Sequence, residues 1–283
     1  MRAAACYREF TPFPALREHV RAFFTYSIPA APVGMGRSLT REIAFGGGQL
    51  PASPLFADGH ASIVFSFGPA YRVEGLWPSG SPSGHAIGAM SQARLASHGD
   101  AVIQVGAYLR PARARPFVSV PACELADRIV ALGDLWGKTT HVETRIREAH
   151  DDCERVSLLE QALVRRLGNT PHTRIDAAGL ASHILQSSGG LSIEQLASAA
   201  GVSRQHLTRV FREEVGVTPK GYSRLARFRA ALARMNTRPH AWADIAVDLG
   251  YADQSHLIAD FKRFSGLTPA AMAAEHRFHP FTA

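Results

Sequence analysis

The chain is 283 residues long, is 46% hydrophobic, and sets 31 Lys and Arg against 24 Asp and Glu for a formal charge of +7. That length supports two domains, each able to bury its own core, and the cationic balance suits a polyanionic partner. Cys6, Cys123 and Cys153 are widely spaced with no CxxC pair, which points away from a disulfide framework or a zinc knuckle; no stretch approaches a membrane span and the first residues lack the apolar run of a signal peptide, so a cytoplasmic protein with no membrane contact is expected.

The first region, about Cys6 to Phe117, reads as β-rich, a barrel or a two-layer sandwich. After Pro14 the stretch ALREHVRAFFTYSI opens as a short helix or strand and brings Val20, Phe23 and Phe24 into a core. Residues 29 to 54 are rich in Pro and Gly; Gly46, Gly47 and Gly48 sit in a loop that lacks the Lys and hydroxyl of a phosphate loop, so flexibility explains them better than nucleotide binding. ASIVFSFG follows Asp58 and Gly59 and sets β-branched and aromatic residues between turn signals, the pattern of a strand. Trp77 to Gly84 is loop chemistry, and HAIGAMSQARLAS and AVIQVGAYL give further strands. In the last of these Val102, Gln104, Gly106 and Tyr108 alternate with Ile103, Val105, Ala107 and Leu109, as suits a sheet packed on one side. Phe65, Phe67 and Trp77 are candidates to line a ligand pocket, with core packing as the plainer duty of each; Arg110, Arg113 and Arg115 are either an anion site or a solvated rim.

Thirteen histidines raise the question of catalysis, yet there is no HExxH, no HxH followed by a carboxylate and no GxSxG. No catalytic residue, metal ligand or cofactor is assigned, and the chain reads as a non-enzyme. His60, His85 and His98 all fall in the β-rich part; a metal site formed from them would favour the alternative of a ligand- or metal-binding, cupin-like domain with catalytic activity fused to the C-terminal part of the chain, whereas dispersed histidines are more often surface and core.

From Pro121 the pattern turns helical. Ile146, Ala149, Cys153, Val156, Leu163 and Leu167, helped by Leu159, form a heptad-like stripe that is either intramolecular core or a dimer seam. A further helix covers Ile175 to Gln186, and residues 187 to 190, SSGG, give a hinge or a plain helix stop.

Beyond this the chain becomes specific. Ser192 with Gln195 three residues on is a capping box, Ile193, Leu196, Ala197 and Ala200 lie on one helical face, and Gly201 ends the helix. Ser203 caps a second helix whose buried stripe is Leu207, Val210 and Phe211, leaving Gln205, Thr208, Arg209 and Arg212 outward, a face able to read base edges in a major groove. The pattern returns: Trp242, Ile245, Ala246, Leu249 and Gly250 repeat Ile193 to Gly201 at an offset of 49, and Leu257, Phe261, Gly266, Thr268 and Pro269 repeat Leu207 to Pro219 at an offset of 50. This is a repeated helix-turn-helix whose second turn is one residue longer. A linker helix between them carries Lys220, Arg224, Arg227, Arg229, Arg234 and Arg238, with no acid from Val215 to Ala243, and from Ser187 onward 12 Lys and Arg face 8 Asp and Glu. Those cations and the repetition favour a DNA reader over an ordinary solvated hairpin.

AxxxGVSRQHLTRVFREEVGVTPKGY, RLARFRAAL, IAVDLGYADQSHL and FKRFSGLTP together resemble the DNA-binding domain of the AraC/XylS family of bacterial transcription regulators. More loosely, YLRPARARPFVSVPACELADRIVALGDLWG resembles the sensory-type domain often found ahead of it. The resemblance implies seven helices, sequence-specific binding of duplex DNA and an N-terminal domain that senses a signal or mediates dimerisation. The expected fold is α+β: a β-rich sensory domain over residues 1–120, a helical connector over 121–186 that could dimerise, and an all-α DNA-binding domain with two helix-turn-helix motifs over 187–283. The expected DNA-contacting residues are Arg204, Gln205, Thr208, Arg209 and Arg212 in the first motif, and Gln254, Ser255, His256, Ile258, Lys262 and Arg263 in the second. Ala259 and, after Pro269, Met272 and Ala273 depart from the family pattern, so the first motif should read most of the sequence while Lys262 and Arg263 hold the backbone. The expected partners are duplex DNA, a second copy of the chain, a small-molecule effector and RNA polymerase.

Overall fold

The computed structural model describes residues 6–28, 41–45, 48–68, 72–76, 83–97, 102–167, 175–237 and 242–274. Its strands are β1 (Cys6–Phe10), β2 (Val20–Ile28), β3 (Arg41–Phe45), β4 (Gly48–Leu55), β5 (Ser62–Phe67), β6 (Arg72–Val73), β7 (Gly84–Ile87), β8 (Arg94–Ser97), β9 (Val102–Leu109) and β10 (Ile129–Ala131). Six form one antiparallel sheet in the order β1-β2-β9-β5-β7-β10, and four form a second in the order β3-β4-β8-β6. β3 and β4 fall in the Pro- and Gly-rich stretch, and Gly48, read as loop, opens β4, a correction: Pro51 and Pro54 interrupt the strand pattern, and β4 nonetheless pairs with both β3 and β8.

β9 sits between β2 and β5 at the centre of the larger sheet and is covered on both faces, not on one as its alternation suggested. Val105, Ala107 and Leu109 join Phe23 and Ile63 in one core, while Phe24 and Tyr108 stack at 4.5 Å on the other face. The Phe24 ring lies so close to Gly106 that a Cβ there would be 2.4 Å from it, so glycine lets the ring lie flat on the strand.

Short helices α1 (Arg115–Val118), α2 (Ala122–Leu125) and α3 (Leu132–Trp136) lead into α4 (Thr140–Glu148) and α5 (Asp152–Val164). Within this segment β10 is an addition to the helical reading: Ile129, Val130 and Ala131 extend the sheet by pairing with Ile87, Ala86 and His85. Asp151 caps α5 by accepting the Glu154 N–H. Ile146, Val156, Leu159 and Leu163 are buried against Leu16, Val20, Phe23 and Phe65, so the stripe packs this chain's own sheet and is not an open dimer seam; Cys153 points away from it, exposed. Burying each such Leu or Ile stabilises the fold by about 1.5–3 kcal/mol.

Seven helices follow among the described residues: α6 (Ala177–Gln186), α7 (Ile193–Ala199), α8 (Arg204–Val215), α9 (Pro219–Thr237), α10 (Trp242–Asp248), α11 (Gln254–Ser265) and α12 (Pro269–Ala274). α6 packs on α8 and α9, and Leu180, Ala181 and Ile184 enter the same core as Leu207, Phe211, Phe228 and Phe261. That core is continuous with the outer face of the larger sheet through Phe24, Val64 and Ile87. The glycines after α6 form a close-packed stop: Gly189 has φ +73, its N–H donates to the Ile184 carbonyl, and a Cβ there would lie 2.1 Å from the Ser223 carbonyl oxygen. No helix among the described residues is long and apolar enough to cross a membrane.

Candidate nucleic-acid interface

Local chemistry builds the first motif. The Ser192 hydroxyl accepts the Gln195 N–H at 3.1 Å while the Gln195 side-chain carbonyl accepts the Ser192 N–H at 2.8 Å. Gly201 turns the chain at φ +65, Val202 N–H donates back to the Ala197 carbonyl, and Ser203 caps α8 by accepting the His206 N–H. With Leu207, Val210 and Phe211 buried, Arg204, Gln205, Arg209 and Arg212 are exposed and Thr208 is half-buried beside them. The Arg209 guanidinium donates to both carboxylate oxygens of Glu213, at 3.0 and 3.2 Å, and Arg204 pairs with Glu194 at 2.6 Å. Exposed pairs of this kind add little stability.

The second motif repeats the turn, with Tyr251 N–H donating to the Ala246 carbonyl and Asp253 capping α11 through the His256 N–H at 2.7 Å. Leu257, Phe261 and Phe264 are buried; Gln254, Ser255, Ala259 and Lys262 are exposed, and His256 and Ile258 are half-buried. His256 also sets its ring edge-on to Tyr251 at 5.2 Å. Arg263 is exposed and its Nε donates to the Ser91 carbonyl at 3.0 Å, so this side chain also touches the β-rich domain.

The linker cations are also largely engaged inside the protein. Arg224 bonds to buried Asp260, Arg227 reaches the Gly189 carbonyl and lies over the Tyr251 ring, Arg229 donates to His60 and Arg234 pairs with Asp248 at 3.6 Å. Their run without acids therefore serves packing between helices and domains as much as any polyanion. Arg238 lies outside the described residues.

α2 comes up beside the first reading face. Cys123 lines a cleft of about 720 Å³ together with Gln205, Thr208, Arg209 and Arg212. Close by, Arg115 pairs with Glu214 of α8 at 3.6 Å, and Arg110 separately donates to the Arg17 carbonyl, so these two do not converge on an anion site.

Among the described residues, neither the histidines nor the aromatic candidates come together. His60 has Nδ1 against the Leu109 carbonyl at 3.2 Å and Nε2 accepting from Arg229 at 3.1 Å, which occupies both ring nitrogens. Burial pushes its pKa down to about 3 and that of fully buried His85 to about 4, so both are neutral. Among the described residues no three His, Cys, Asp or Glu are placed to hold a metal ion, and His98 lies outside them. Phe65 is sealed in the core near Trp136, Phe67 lies at the edge of that core under Arg147, and Trp77 is outside the described residues.

A helix-turn-helix domain family matches residues 196–275. The regulatory protein SoxS of Escherichia coli (strain K12) is 34% identical over 80 residues, 28% of this chain and 75% of SoxS. An uncharacterized HTH-type transcriptional regulator of Haemophilus influenzae is 27% identical over 114 residues, 40% of this chain; the chain spans 37% of that relative's length. ToxT from Vibrio cholerae O395 aligns with a TM-score of 0.44 at 13% identity, over 80% of this chain and 94% of ToxT. Paired helix-turn-helix units on one linker helix, with sequence likeness reaching three quarters of a named regulator, define a DNA-binding transcription regulator. The chain belongs to the AraC/XylS family.

Proposed function

We propose that α8 and α11 enter successive major grooves of duplex DNA, that α8 reads most of the sequence, and that the β-rich domain governs the binding. The observation that carries this is the contrast between the two outer faces: Gln205, Thr208, Arg209 and Arg212 on α8 against Ser255, Ile258, Ala259 and Lys262 on α11. Arg and Gln bond base edges bidentately, each adding about 1–3 kcal/mol of discrimination, whereas a Lys on phosphate adds affinity without sequence information. At 19 residues α9 is about 28 Å long, close to the roughly 34 Å that separates grooves one turn apart.

On this reading the DNA-binding unit runs from α6 onward and the regulatory unit includes α1 to α5. A small-molecule effector acting through the β-rich domain, a second copy of the chain and RNA polymerase are the partners such a regulator would use, with self-association placed off the α4–α5 stripe because that stripe is spent in the core. The relatives named above are regulators, and both ring nitrogens of His60 are already engaged, which weighs against the cupin-like enzyme. Selection of bound duplexes from a random pool by the full chain tests the proposal. A common sequence with one strongly and one weakly specified segment is expected; a pool without a common sequence contradicts it.

A further inference from the structure

One loop of the β-rich domain touches the C-terminal ends of both recognition helices. Residues 88–93 join β7 to β8. At one end of the loop, buried Ala89 lies against the C-cap of α8: a Cβ added to Gly216, which has φ +96, would sit 3.5 Å from Ala89 Cβ and 3.1 Å from the Ala122 carbonyl oxygen. At the other end Ala93 N–H donates to the Arg263 carbonyl at 2.8 Å, Ser91 carbonyl accepts from Arg263 Nε at 3.0 Å, and Ala93 lies beside Gly266, the C-cap of α11. The neighbouring Ala57 N–H donates to the Phe264 carbonyl at 2.9 Å. The last carbonyls of a helix have no partner within it, so here the β-rich domain supplies donors to α11 from outside.

The loop is itself held to a fixed shape. Gly88 N–H donates to the Arg128 carbonyl, Asp127 N–H donates to the Ala89 carbonyl, and the Asp127 carboxylate accepts the Ser91 N–H at 2.7 Å. Gly88 leaves no room for a side chain, since a Cβ there would lie 1.8 Å from the Leu125 carbonyl oxygen. The braced loop thus contacts one recognition helix at Ala89 and the other at Ser91 and Ala93, a link between them separate from α9.

We propose that the loop Gly88–Ala93, braced by Asp127, is a positioning element that sets α11 relative to α8, so that the β-rich domain determines the separation of the DNA segments the two motifs read together. The proposal rests on the reading of α8 and α11 as the DNA-contacting helices. Asp127 is a positioning residue: it contacts neither outer face.

The test uses the full chain and a set of duplexes in which the two selected segments are moved apart or together by one and two base pairs. Wild type should bind best at one separation. Asp127→Gly, which removes the acceptor while tolerating the Asp127 φ of +55, and Ala93→Pro, which removes the donor to Arg263, should flatten that dependence by about five- to tenfold, the effect of losing one or two net hydrogen bonds. Both should keep the wild-type base preference in the α8 segment, and Asp127→Asn, which retains an acceptor, should restore the separation dependence. If Ala93→Pro does not fold, the Asp127 pair carries the test. Folded Asp127→Gly with an unchanged separation optimum overturns the proposal, as does a wild type that binds its sequence equally at every separation. A wild type that selects no sequence at all overturns the DNA reading beneath it, and is told apart by that outcome.

Discussion

Arg224 of α9 reaches Asp260 of α11 at 2.5 Å, and the Asp260 side chain has no exposed surface. The equivalent position in the first motif is Val210, so the repeat has an apolar contact in one copy and an ion pair in the other. The pair ties the linker helix to the second recognition helix beside the Phe228 and Phe261 rings, which meet edge to face at 4.9 Å.

Removing the cation strands a buried carboxylate. Arg224→Ala is expected to lower stability by about 3 kcal/mol, while replacing both partners with apolar residues, Arg224→Met with Asp260→Val, should recover most of that loss. Chemical denaturation of the three proteins measures it. A double variant as unstable as the single one would show that the pair does more than neutralise itself.

Asp58 gives a pH dependence of defined sign. Burial against α9 pushes its carboxyl up from 3.8 to about 6, opposed by the His60 N–H and by Arg229 and Arg21. Between those values the folded chain holds a proton that the unfolded chain has lost, so the Asp58 contribution to stability falls as pH rises from about 4 to about 6. His60 and His85 act oppositely: their depressed values mean that the unfolded chain takes up protons which the folded chain refuses, and stability falls as pH drops below 6.5. Asp58→Asn keeps an acceptor for the His60 N–H and deletes only the carboxyl. Its stability gain over wild type should be largest at about pH 7 and nearly gone at about pH 4, read from urea midpoints. A gain that grows on acidification would contradict the assignment.

Cys123 reports on the first reading face. In a Cys6→Ser, Cys153→Ser background it is the remaining thiol, on the rim of the cleft shared with Thr208 and Arg212. Bound DNA should slow its reaction with a bulky maleimide, and the modified protein should lose about tenfold in DNA affinity, the equivalent of one base-edge contact. Equal reaction rates with and without DNA would place α2 away from the duplex.

The two motifs were legible in the sequence because caps, helical period and turn glycines are local signals: Ser192, Gly201 and Ser203 do in the fold what their spacing implies. The seven helices follow the resemblance. β4 was hidden by Pro51 and Pro54, β3 by the Pro- and Gly-rich stretch around it, and β10 by its three-residue length between helices. The destinations of the linker arginines were not legible, because Asp260 lies 36 residues from Arg224 and His60 lies 169 from Arg229, and a charge run names no partner. For the same reason the bond from Arg263 to Ser91, in a loop 172 residues earlier in the chain, was not legible.

The unequal division between the two reading faces is tested most directly by binding to the selected site and its single-base variants at fixed and at varied salt, comparing Arg209→Ala with Lys262→Ala. Arg209→Ala should flatten discrimination in one segment by about 1–3 kcal/mol, whereas Lys262→Ala should weaken all sequences alike and reduce the salt slope by about one. Equal loss of discrimination from both substitutions, or a greater loss from Lys262→Ala, would contradict the assignment of base reading to α8.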